Sequence, residues 1–160
     1  MGLFGILKGM ATDGVDGILK ENLSSALKQI ERKSGKEVFI EFAKKYPELL
    51  EGFVQGLAGA EHEAIRSGIS GDKLDNMVIE VCNKYGIIVK DEKIKGDSIS
   101  AYQRFALLGF DYSFAIHNKI RRGNPIGGSL EYGYGIFDIA DHMSDEISMI
   151  LKNGIPKEED

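Results

Sequence analysis

The sequence predicts an all-α protein, a single-domain bundle of five or six helices with a buried central helix at about 101–121. Three observations predict it. Apolar residues recur at three- and four-residue spacing along most of the 160-residue chain, the period of helices that turn one face to a core. Glycines cluster where those periodic stretches stop, at Gly35, Gly68, Gly71, Gly86, Gly96, Gly123 and Gly154, as expected of helix ends. Hydrophobic residues make up 42% of the chain, enough to build one core across a domain of residues 1–160 and too many for a disordered chain.

The elements follow in order. Residues 1–11 read as a short amphipathic N-terminal segment weakened by glycines. Thr12 or Asp13 caps a first long helix, with Ile18, Leu19, Leu23, Ala26, Leu27 and Ile30 as its stripe and Ser34-Gly35 as its end. Val38, Phe39, Phe42 and Ala43 predict a second helix that stops at Tyr46, because the residue before Pro47 is pushed out of the helical region. Pro47 suits the first position of a third helix that runs to about Arg66.

Ser70 caps a fourth helix carrying Leu74, Met77, Val78, Val81, Cys82 and Tyr85, which closes at Gly86. The β-prone Ile87-Ile88-Val89 run, with Asp91-Glu92 as a turn, allows at most one small β-hairpin near 87–95. Ser100 and Gln103 form a capping-box pattern at the start of the long central helix. A loop from Gly123 to about Gly133 leads to a last helix from about Tyr134 to Lys152, and residues 157–160 are expected to fray as an acidic tail.

Composition excludes several classes. One cysteine, Cys82, forms neither an internal disulfide nor a cysteine-based zinc site, which suits a reducing compartment and a cytoplasmic location. No apolar run is long enough to span a bilayer. A net charge of −5 argues against nucleic acid as a partner, since such binders present a basic face to phosphates.

Two polar anomalies stand out. The 101–121 helix is apolar on nearly every side, which predicts burial all round, yet Arg104, Asp111 and Asn118 recur at heptad spacing within it. In the third helix Glu61 lies inside the apolar arc, where an unpaired carboxylate would be costly, so a pairing with Arg104 or His117 is expected. Together Glu61, Arg104, Asp111, His117 and Asn118 form the expected buried polar network. Gly52, Gly56, Ala60 and Ala64 repeat every four residues beside Glu61, a ridge of small residues on which another helix, or a second copy of the chain through the Gly52/Gly56/Ala60 face, can pack closely.

No catalytic, cofactor-binding or metal-binding residue is assigned. Glu61-His62-Glu63 lacks the second histidine of a metalloprotease motif, since position 66 is arginine. The last helix carries Asp138, Asp141, His142 and Asp145 at spacings that could hold a metal, but on the face away from its apolar stripe. The Gly123–Ser129 loop lacks the Gly-Lys-Ser/Thr ending of a phosphate loop.

Three function classes remain. The first is a non-enzymatic cytosolic protein-binding module, such as a bacterial immunity, neutralising or adaptor protein, acting through an acidic surface and a Tyr/Arg/Gly-rich loop with Lys119, Arg121, Arg122, Tyr132 and Tyr134 as partner-binding residues. The second is a peripheral membrane or assembly component that engages through the N-terminus. The third is a small-molecule binder or enzyme built on the polar cluster.

Overall fold

A computed structural model describes the backbone of residues 3–90, 98–122 and 135–156, with side chains for 14–90, 98–117 and 135–156. The described residues form six helices and no strand: α1 (Leu3–Ser34), α2 (Lys36–Lys45), α3 (Pro47–Ala64), α4 (Gly71–Lys84), α5 (Ser98–Arg122) and α6 (Ile136–Asn153). The chain is therefore an all-α bundle. None of these helices is long and apolar enough to cross a membrane.

Local chemistry sets most boundaries. Gly35 alone separates α1 from α2, and its φ of 90° is one that a residue with a Cβ adopts only under strain. Tyr46 leaves the helical region with φ −133° while its N–H still bonds Phe42 O, and Pro47 opens α3. The Ser70 side chain accepts from the Lys73 N–H and so caps α4. Two sequence-predicted limits move. Helix α1 begins at Leu3 rather than at Thr12 or Asp13, and α3 ends at Ala64 rather than Arg66.

Of the stretch near 87–95, where the sequence allows at most one small hairpin, the described residues 87–90 form no strand. After Gly86 (φ 77°), the Ile87 N–H bonds Cys82 O at 2.9 Å and the Gly86 N–H bonds Asn83 O at 3.1 Å, the paired hydrogen bonds of a Schellman helix end. Ile87 is 1% exposed. Its apolar side chain closes α4 onto the core, so the β-prone run serves a helix terminus. Residues 91–95 and the tail 157–160 lie outside the described residues.

Helices α3 and α5 pair most extensively, and α1 bridges to α2, α3, α4 and α6. The core between them buries Leu23 and Ile30 of α1, Phe42 of α2, Phe53 and Leu57 of α3, Val81 of α4, Phe105 of α5 and Ile147 of α6. Phe42 stacks on Phe105 with ring centroids 5.9 Å apart, and Phe53 meets Tyr112 edge-on at 6.0 Å, both favoured aromatic arrangements.

The α3–α5 pairing depends on absent side chains. A Cβ built on Gly56 would lie 2.1 Å from Ala106 O, and one on Gly109 would lie 2.3 Å from Phe53 O and 2.5 Å from Leu57 N. The backbones touch there. The small-residue ridge is thus filled within the chain by α5 along Gly52 and Gly56, both buried.

Helix α5 is central to the bundle but is not buried on every side. Ala101, Phe105, Tyr112 and Ala115 face the core, whereas Leu107, Phe110 and Phe114 are 58%, 48% and 57% exposed. Helices α3 and α6 cover two flanks of α5.

Candidate functional site

Glu61 sits in the third helix where the small residues of α3 let α5 approach, and it is completely buried. Its Oε1 accepts from Asn22 Nδ2 of α1 at 2.7 Å. Its Oε2 accepts from Ser113 Oγ of α5 at 3.0 Å and from the His117 ring Nε2. Ser113 and His117 are four residues apart, so one face of α5 supplies both donors. With Glu61 ionised the carboxylate only accepts, and the hydrogen shared with His117 then sits on Nε2. Three donors from two other helices satisfy the two oxygens, which offsets much of the cost of burying the group.

Above this network lies an open cleft of about 390 Å³, lined by Ala60 and Ala64 of α3 and by Phe110, Asp111, Ser113, Phe114 and His117 of α5. Glu61 itself is sealed below it. Ser113 is 3% exposed and His117 remains partly accessible, so the cleft presents a polar floor between apolar walls. Phe110, Phe114 and Asp111 stand exposed at its rim.

The sequence-predicted network is only partly assembled. Glu61 meets His117 and not Arg104. Arg104 is half-exposed and directs its guanidinium toward Glu146 of α6 at 3.5 Å, with its Nε buried and unpartnered. Asp111 is exposed rather than buried and makes no ion pair among the described residues. Heptad spacing keeps Arg104 and Asp111 on one side of α5, but two turns apart they meet different surroundings: α6 beside Arg104, open cleft beside Asp111. Asn22 and Ser113 were not expected. The signal for both was a small polar residue set among buried positions, Asn22 before Leu23 and Ser113 after Tyr112.

The side chains of Asn118, Lys119, Arg121 and Arg122, and the loop carrying Tyr132 and Tyr134, lie outside the described residues, as do the side chains of residues 1–13. The acidic face of α6 is used structurally. Asp138 accepts from the Gly135 N–H at 2.9 Å, and Asp141 pairs with Lys33 at 3.2 Å. No cluster of three His, Cys, Asp or Glu suited to a metal occurs among the described residues. Cys82 is buried, and that burial pushes its thiol up to about 12.

No protein family, curated protein or solved structure matches this chain.

Proposed function

We propose that this chain is a non-enzymatic protein-binding module, of the neutralising or adaptor kind, whose binding face is the outer side of α5. One observation carries the reading. Leu107, Phe110 and Phe114 are each about half exposed, at a spacing of three and then four residues that gives a continuous helical stripe. Single exposed apolar residues need no explanation, but a row of large ones beside a cleft is the anatomy of a contact surface. Aromatic side chains in such a row are the usual anchors of an interface.

The polar network supports this role by fixing the surface. Glu61 ties α1, α3 and α5 together through hydrogen bonds, and that holds α5 in one register beneath its exposed face. A buried free thiol suits a reducing compartment and supports a cytoplasmic module.

The test is a photo-crosslinking residue placed at Phe110 of the full chain in native lysate, with the same residue at Ile79, an exposed apolar position on α4, as control. Position 110 should give a discrete adduct with another protein that position 79 does not, and Leu107→Ser with Phe114→Ser should abolish it. No adduct at 110, or the same adducts at both positions, would overturn the proposal.

A further inference from the structure

We infer that the α5 cleft receives a cationic side chain, lysine or arginine, carried on an amphipathic helix of the partner. The inference rests on the protein-binding reading and adds the partner's chemistry. Asp111 lines the cleft, is exposed, and makes no ion pair among the described residues. Phe110 and Phe114 stand on either side of it in sequence and line the same cleft. An aromatic face attracts a cation through its quadrupole, and a carboxylate beside it adds direct charge.

No lysine or arginine lines the cleft, so nothing in its described wall competes for that carboxylate. Beneath, His117 Nε2 hydrogen-bonds Glu61 Oε2, which commits that carboxyl group and leaves Asp111 as the anion at the rim. The stripe from Leu107 to Phe114 spans two helical turns, roughly 10 Å, a length that matches two or three turns of a docked helix.

Charge complementarity selects the occupant. A second copy would bring another exposed Asp111 and another net charge of −5 to the contact, whereas a helix with leucine on one side and lysine at its edge satisfies both the stripe and the carboxylate.

Two probe peptides test this with the full chain: an amphipathic leucine–lysine helix and its leucine–glutamate counterpart, titrated by fluorescence anisotropy. The lysine peptide should bind more tightly. Asp111→Asn and Phe110→Leu should each weaken it about two- to fivefold, while Asp75→Asn, an exposed carboxylate on α4, leaves it unchanged. Equal binding of the two peptides, or equal effects of Asp111→Asn and Asp75→Asn, would overturn the cation assignment. If both peptides bind equally and Leu107→Ser with Phe114→Ser still abolishes binding, the apolar face survives and only its cationic partner is lost. Binding that persists in that double variant would defeat the protein-binding reading of α5 itself.

Discussion

Adding one methyl group at Gly56 should destabilise the bundle, and adding one at Gly59 in the same helix should stabilise it. The Gly56 Cβ would lie 2.1 Å from Ala106 O and 2.8 Å from the Ala106 carbonyl carbon, against roughly 3.3 Å for a tolerable carbon–oxygen contact. The overlap of about 1 Å is with backbone, which has no rotamer to escape into. Helices α3 and α5 must part, loosening the contact at Gly109 as well. Overpacking of this kind costs about 3 kcal/mol at its upper end, and alanine's better helix propensity returns about 1 kcal/mol. The net loss is about 2 kcal/mol, or roughly 4–8 °C in melting temperature for a chain of this size. Gly59 has nothing within 4 Å of its Cβ position. Gly59→Ala keeps only the propensity gain, about 0.5–1 kcal/mol. Circular-dichroism melts and urea titrations of the two variants beside the parent chain decide the matter. A Gly56→Ala protein that melts at or above Gly59→Ala would refute the close-approach argument.

Other outcomes follow from the same structure. Glu61→Leu leaves the donors of Asn22, Ser113 and His117 facing an apolar group and should cost about 3 kcal/mol or more, read by urea denaturation; a double-mutant cycle of Glu61→Gln with His117→Gln should show coupling of at least about 0.5 kcal/mol, and additivity would count against the pair. Burial pushes the Cys82 thiol from 9.0 to about 12 and the Tyr112 phenol from 10.0 to about 12. Both groups hold their protons longer when folded, so their contribution is intact below pH 9 and stability should fall as pH rises from 9 to 12; a flat stability profile across that range would contradict it. The same burial should keep Cys82 from reacting with a thiol reagent at pH 8 until denaturant is added. Leu107→Ser with Phe114→Ser should change stability by no more than about 1 kcal/mol, since both positions are exposed, and a large drop in melting temperature would mean that this face is covered.

Helix ends were legible because their causes are local. A serine hydroxyl reaches a backbone N–H three residues on, as Ser70 does for Lys73, and the restriction that Pro47 places on Tyr46 acts across one peptide bond. Glu61 was legible as an anomaly because a helical wheel needs only one segment. Two of its partners were not, since Asn22 is 39 residues away in sequence and Ser113 is 52, and nothing local indicates which distant polar groups will converge. The place of Ile87 stayed open in the sequence for a related reason. The β-prone character of the run is real, but the tertiary core claims Ile87 as the anchor of a helix end.

By itself the sequence determined the helices, their order, the inward place of Glu61 and the row of small residues from Gly52 to Ala64, because period, caps and breakers act within a few residues. Only the tertiary structure decided what each face meets. It packed α5 against Gly52 and Gly56, joined His117 and Ser113 to Glu61, sent Arg104 to Glu146, and left Leu107, Phe110 and Phe114 about half exposed. A wheel records which sides of a helix are apolar, but burial needs a neighbour, and among the described residues the main neighbours of α5 are α3 and α6.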